Sequence, residues 1–161
     1  MISTADTRRG AVDAIERYVS TEPTAQRVLE RTAALLHERF ERYSWVGFYL
    51  VEDGDLVLAA WKGPQETEHV RIRIGEGVCG AAAASGKTEI VDDVAADTRY
   101  IACFPSTRSE IVVPIFAPGR SGTERGPVLG EIDIDSDKAA AFDEDDRAFL
   151  EHVARMVSAR L

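Results

Sequence analysis

The sequence is short of features that whole classes of protein require. Two cysteines in 161 residues are too few for the disulfide framework of a small secreted domain. No stretch approaches the roughly 20 consecutive apolar residues of a membrane-spanning helix. The opening stretch, MISTADTRRGAVDAIERYV, carries charges where a signal peptide needs its apolar segment. We therefore expect one soluble cytoplasmic domain, long enough to bury a full core.

Lysine is also scarce, at three residues, and the formal net charge is -9. An acidic excess disfavours nucleic acid and anionic membranes as partners. A lysine-poor acidic composition suits a high-salt cytoplasm, and a GC-rich genome gives the same shift from lysine to arginine. The composition therefore excludes partners without identifying one.

Hydrophobic periodicity predicts helices at both ends of the chain. The second helix is expected to begin near Thr21 as its N-cap, with Pro23 in its first turn. Between the helices the pattern becomes extended, and the Asp-Gly turn in EDGD predicts a hairpin. A third strand, a short alanine-rich helix closed by Gly86, and three further strands follow. Strands in hairpins with terminal helices predict an α+β fold with an antiparallel sheet.

The segment GEIDIDSD places three carboxylates on one side of a strand, because side chains alternate between the two faces. Taken alone, this alternation favours a sheet with one solvent-facing side. The carboxylates are Glu131, Asp133 and Asp135.

Glu110 lies in the strand segment SEIVVPI, both faces of which are largely apolar. A carboxylate in a central strand is costly unless it is paired or hydrogen-bonded. Two interpretations are open: a structural ion pair, for instance with Arg108, or a carboxyl group with a raised pKa that can donate a proton.

The two cysteines are Cys79, in GEGVCGAAA, and Cys103, in the loop YIACFPST. Cys79 is predicted at a helix N-terminus, a position that lowers the pKa of a thiol and favours thiolate. Either residue can equally be a buried structural cysteine. The long connection from 91 to 107 around Cys103 is of a kind that is usually functional.

Together, GEGVCGAAAASGKTEIVDDV, YIACFPSTRSEIVVPI and LGEIDIDSD with FDEDDRAFLE resemble the GAF-type free methionine-(R)-sulfoxide reductases. The resemblance runs from about Trp45 to the C-terminus. It implies a single GAF domain over 1–161: N-terminal helices in 1–40, sheet and pocket loops in 43–136, and a C-terminal helix in 143–161. It also implies helices on one face of a central antiparallel sheet and a loop-covered ligand pocket on the other.

The resemblance implies a role for each candidate residue. Cys103 matches the family's catalytic cysteine and Cys79 a second family cysteine, while Glu110, Asp133 and Asp135 match pocket carboxylates. Cys103 is expected to attack the sulfoxide sulfur and become a sulfenic acid, with a carboxyl group supplying a proton. Ionised carboxylates can bind the ammonium of a free amino acid. Three aromatic residues are candidate pocket walls: Trp45, Tyr49 and Trp61.

His69 stands where the family usually carries a third cysteine, which forms the disulfide with the catalytic one. Cys79 can resolve the sulfenic acid instead, or His69 can modulate Cys103 while an external thiol resolves it, or activity is lost and only ligand binding remains. A zinc site formed by His69, Cys79 and Cys103 is a further alternative, as is a surface location for His69 without any role.

The sequence therefore predicts thiol-dependent reduction of free methionine-(R)-sulfoxide, with no metal or cofactor. Thioredoxin or a small thiol is the expected reductant, and the amphipathic terminal helices make a homodimer the expected state. The alternative is a non-catalytic GAF domain that binds a small ligand for sensing or signalling.

Overall fold

The computed structural model describes residues 1–102, 104–119 and 125–161. It contains a six-stranded sheet in the order β3-β2-β1-β6-β5-β4, in which all neighbouring strands are antiparallel. The strands are β1 Trp45–Glu52, β2 Asp55–Lys62, β3 Arg71–Arg73, β4 Glu89–Val91, β5 Ser109–Pro118 and β6 Arg125–Ser136. The predicted α+β class and the antiparallel sheet are confirmed.

Four α-helices accompany the sheet, α1 Thr4–Thr21, α2 Ala25–Arg39, α3 Gly77–Ser85 and α4 Glu144–Ser158, with a 3₁₀ turn at Val94–Ala96. The helix starting near Thr21 was predicted wrongly. Thr21 ends α1, and the side chain of Thr24 accepts from the Arg27 N–H to cap α2, so Pro23 precedes the helix. Gly86 closes α3 in the left-handed conformation, as predicted.

Helices α1, α2 and α4 cover one face of the sheet. That face contributes every second residue of the central strands to an apolar core, because side chains alternate across a strand. The central strand residues in this core are Val46, Phe48, Ile111, Val113, Ile115, Ile132 and Ile134. Within the described chain, no helix is both long enough and apolar enough to cross a membrane.

Helix α3 and the described segments 92–102 and 104–107 cover the other face, over a second buried cluster that includes Trp45, Tyr49 and Val112. The expectation of a solvent-facing row on β6 is therefore wrong. Glu131, Asp133 and Asp135 are buried beneath this cover, although they occupy one face as the alternation predicts. The third strand is also shorter than its pattern suggested, and Val70 lies outside it and is exposed.

Candidate functional site: a buried carboxyl row beside Cys79

The carboxyl row of β6 occupies the centre of the loop-covered face. Glu131, Asp133 and Asp135 are 0%, 1% and 2% exposed. Strand β1 flanks the row on one side and β5 on the other, with Asp133 opposite both Gly47 and Val112. Strand β6, at the centre of the sheet, thus holds three acidic side chains away from solvent.

Glu110 joins this row from β5, where it lies opposite Asp135 and is 4% exposed. The Glu110 carboxyl group forms a hydrogen bond with that of Asp133. From α3, the Cys79 thiol lies 3.7 Å from Glu110 Oε1. One atom each from Cys79, Glu110 and Asp133 lie within 4.8 Å of one another.

The environment of the row favours neutral carboxyl groups. Burial raises the pKa of Glu131, Asp133 and Asp135, and the charge of Asp133 adds to the shift for both neighbours. Hydrogen bonds from Glu110 and Cys79 oppose the shift at Asp133. The row therefore holds protons at pH values where exposed carboxyl groups have lost theirs.

Cys79 is a buried thiol with a raised pKa, which corrects the prediction of a thiolate. It lies in the first turn of α3 as expected. However, burial and the charges of Asp133, Glu131 and Glu110 raise its pKa well above the ordinary value. Desolvation and three neighbouring carboxyl groups outweigh the helix N-terminus, so Cys79 is protonated in the resting site.

The row has few polar partners of its own. Both carboxyl oxygens of Asp135, and Oδ1 of Asp133, lack a hydrogen-bond donor at bonding distance among the described residues. Among the residues that the structure describes, no lysine or arginine lowers the pKa of Glu131, Asp133 or Asp135. Buried polar groups are normally satisfied, so this arrangement suits a ligand that brings its own donors and positive charge.

Aromatic side chains border the row on the side of Trp45. The rings of Trp45 and Trp61 stack with centroids 6.3 Å apart, and Phe104 packs against Trp45 at 5.7 Å. Tyr49 is fully buried and donates its hydroxyl to the His69 carbonyl at 2.7 Å. A Cβ atom at Gly47 would approach the Trp45 ring to 2.3 Å, so glycine leaves space for the indole here.

His69 is half-buried and contacts the loop of Cys103. Its Nε2 lies 3.0 Å from the carbonyl oxygen of Ala102. A carbonyl only accepts, so Nε2 carries the proton in this contact. Cys103 lies outside the described residues. Its neighbour Ala102 is exposed, and Phe104 on the other side is buried. His69 thus has a defined contact at the edge of the site.

Two narrow cavities of about 20 Å³ each lead into the site. The first reaches Cys79 and Glu110 between His69, Glu76 and Ile101, and the second reaches Asp135 between Trp45 and Phe104. A larger cavity of about 440 Å³ lies elsewhere, between β5 and α4, and has none of the predicted site residues in its walls.

The sequence pattern of the GAF domain matches residues 24–161. The chain belongs to the GAF-domain family.

Three relatives illustrate its place in that family. It is 39% identical to GAF domain-containing protein A of Dictyostelium discoideum over 144 residues, which are 89% of this chain and 85% of that protein. It is 38% identical to free methionine-R-sulfoxide reductase of Escherichia coli over 129 residues, 80% of this chain and 73% of that protein. The structure of free methionine-R-sulfoxide reductase from Neisseria meningitidis in complex with its substrate is 40% identical in sequence to this chain. The match covers 99% of this chain and 91% of that one, with a TM-score of 0.88.

This GAF domain gathers most of the sequence candidates in one place. Cys79, Glu110 and Asp133 converge, Asp135 lies opposite Glu110 on the neighbouring strand, and Trp45 and Tyr49 belong to the apolar cluster on the same face. Trp61 is only half-buried and stacks behind Trp45. Two neighbours had not been chosen as site residues: Glu131 and Phe104. The strand alternation already placed Glu131 on the correct face, whereas nothing local distinguished Phe104.

Proposed function

We propose that this GAF domain reduces free methionine-(R)-sulfoxide to methionine with electrons from a thiol. The observation that carries the proposal is the buried carboxyl row without a cationic partner among the described residues. A free amino acid brings an ammonium group that satisfies such a row, and a peptide-bound methionine sulfoxide does not. The Escherichia coli and Neisseria meningitidis relatives bear the name of this activity.

In the proposed reaction Cys103 is the nucleophile. Its thiolate attacks the sulfoxide sulfur, and the sulfoxide oxygen accepts a proton and passes to the Cys103 sulfur as a hydroxyl group. One sulfoxide and one thiol thus become one thioether and one sulfenic acid. The methionine sulfur gains two electrons and the cysteine sulfur loses two.

Glu110 is the proposed proton donor, because its carboxyl group is buried and hydrogen-bonded to that of Asp133. Asp133 and Asp135 are proposed to hold the substrate ammonium. Trp45, Tyr49 and Trp61 are proposed to contact the thioether methyl and methylene groups, since aromatic faces suit apolar substituents.

His69 is proposed to position the Cys103 loop through its contact with the Ala102 carbonyl. A His69→Gln variant keeps an N–H donor, whereas His69→Ala removes it. We expect Ala to lower kcat with little change in KM, and Gln to restore most of kcat. If Gln behaves as Ala does, the N–H contact with Ala102 is not the positioning element.

Recycling of the sulfenic acid is proposed to require either Cys79 or an external thiol such as thioredoxin or a small thiol. Unchanged turnover of Cys79→Ser with thioredoxin would exclude Cys79 as the obligatory resolving cysteine. A homodimeric state and a cytoplasmic location are further parts of the proposal, and light scattering after size exclusion checks the former.

The deciding experiment measures methionine formed from free methionine-(R)-sulfoxide with dithiothreitol, and then with thioredoxin. N-acetylmethionine sulfoxide is the matched control, since it differs by the ammonium charge. We expect turnover of the free amino acid only, and none with Cys103→Ser. Absence of turnover with both reductants overturns the enzymatic proposal.

A non-catalytic ligand-binding GAF domain is the second candidate, and His69 in place of the third cysteine favours it. It predicts that methionine sulfoxide or a similar amino acid binds in calorimetry without being consumed.

A further inference from the structure

One thiol and two carboxyl groups converge in the site with the spacing of metal ligands. Sγ of Cys79 and one oxygen each of Glu110 and Asp133 lie within 4.8 Å of one another, and all three residues are buried. We propose that these side chains form a binding site for a thiophilic divalent cation such as Zn²⁺, which blocks the carboxyl row against amino-acid ligands.

The distances fit a single small ion. Zinc binds thiolate sulfur at about 2.3 Å and carboxylate oxygen at about 2.0–2.2 Å, so two such ligands of one tetrahedral ion stand about 3.6 Å apart. The Cys79 sulfur lies 3.7 Å from Glu110 Oε1. Borderline-soft cations prefer this mixture of sulfur and oxygen over Mg²⁺ and Ca²⁺, which take oxygen alone.

A second observation also points to a cation at this place. Oδ1 of Asp133, beside Cys79 and Glu110, has no hydrogen-bond donor at bonding distance among the described residues, although Asp133 is only 1% exposed. Glu131 is also fully buried and interacts with the Cys79 thiol.

A small cavity lies beside these ligands on the side of α3. Its lining includes Cys79 and Glu110 together with His69 and Glu76. The inferred ligand set differs from the His69, Cys79 and Cys103 set that the sequence suggested, because two carboxyl groups replace the imidazole and the loop cysteine.

Binding exchanges the Cys79 proton for the cation, with no change of oxidation state. The bound ion supplies the positive charge that the carboxyl row lacks and fills the volume beside Asp133. An amino acid whose ammonium uses the same carboxyl groups is therefore excluded while the ion is bound, and micromolar zinc makes the domain unresponsive to it.

The test titrates the reduced full-length protein with Cd²⁺, a spectroscopic substitute for Zn²⁺, and follows ultraviolet thiolate-to-cadmium absorption. We expect one ion per chain in the wild type and in Cys103→Ser. Cys79→Ala should lose the absorption, and Asp133→Asn should keep it with at least tenfold weaker binding. Asp145→Asn, an exposed acid in α4, is the matched control and should behave as wild type.

Absorption that survives in Cys79→Ala and disappears in Cys103→Ser overturns the inference, as does binding that is unaffected by Asp133→Asn. Circular dichroism of each variant confirms that it is folded. The blocking step rests on the proposed function, and competition between Zn²⁺ and free methionine-(R)-sulfoxide tests it. Cation binding without sulfoxide binding retains the metal site and rejects the proposed function; sulfoxide binding without cation binding does the opposite.

Discussion

Asp146 and Asp135 are both buried aspartates, but they differ in their hydrogen-bond partners. Asp146, in the first turn of α4, accepts hydrogen bonds from Arg8, Arg42 and the Tyr43 hydroxyl at 3.1, 3.2 and 2.8 Å. Neither carboxyl oxygen of Asp135 has a hydrogen-bond donor among the residues that the structure describes. The first carboxylate joins α1, α4 and the start of the sheet, whereas the second adds no such connection to the fold.

Their pKa values move in opposite directions because hydrogen-bond and charge partners offset burial at Asp146 and not at Asp135. Burial by itself would raise the pKa of Asp146, but the Asp143 N–H, Tyr43, Arg42 and Arg8 together lower it. Burial raises the pKa of Asp135, and the nearby Asp133 raises it further. A buried carboxylate with partners contributes to the stability of the fold. A buried carboxyl group without partners among the described residues is typical of a functional site.

The largest effect is expected on activity, at the carboxyl row. Glu110→Gln should lower kcat/KM for free methionine-(R)-sulfoxide by about 10²–10⁴-fold, the usual contribution of a general acid. Asp145→Asn is the exposed control and should leave kcat/KM unchanged. A Glu110→Gln enzyme with full activity would remove Glu110 from the mechanism.

The next effect is on stability, at Asp146. Asp146→Ala should lower the free energy of unfolding at pH 7 by about 3 kcal/mol, because it leaves Arg8 and Arg42 without their shared carboxylate. Because the pKa of Asp146 is lowered, this loss should shrink as the pH falls below about 4, the ordinary aspartate value. Urea unfolding at both pH values measures it, and activity per folded molecule should stay constant.

A smaller change of opposite sign is expected at Asp135. Asp135→Asn should raise the free energy of unfolding by about 1 kcal/mol at pH 8, since a raised pKa makes the ionised form costly in the folded state. The wild-type carboxyl group contributes most below about pH 4 and loses that contribution as the pH rises through its folded pKa. The gain should therefore vanish near pH 4, and a gain that persists there would contradict the explanation.

The smallest effect is expected at an exposed pair. Glu30 and Arg27 form an ion pair at 2.9 Å with side chains 42% and 55% exposed. Glu30→Ala should change the free energy of unfolding by no more than about 0.5 kcal/mol, because solvent screens the pair. Urea unfolding in low and high salt checks this value, and a larger loss would show that partial exposure is enough for strong pairing.

Local sequence patterns predicted the strands well because strand alternation is a local property. The hairpin of β1 and β2, the two faces of β5 and the shared face of Glu131, Asp133 and Asp135 all appear as expected. The start of α2 was wrong because both Thr21 and Thr24 are good N-caps, and only packing against α1 decides between them.

Burial on the loop-covered face could not be predicted from β6 alone. Whether Asp133 faces water or protein depends on α3 and on the segments 92–102 and 104–107, which are distant in sequence. The same distance explains the error at Cys79. Its helix position was visible locally, but the carboxyl groups that raise its pKa come from β5 and β6. Only the resemblance to a known family predicted that Cys79, Glu110, Asp133 and Asp135 belong to one site, because hydrophobic periodicity does not relate residues on different elements.

Strand β6 borders both cores, with isoleucines on one side and carboxyl groups on the other. A ligand that neutralises the carboxyl groups removes a penalty from the same strand that anchors the helices. A ligand that binds there in the folded state only should therefore raise the temperature at which the whole domain unfolds, whether the ligand is converted or only bound.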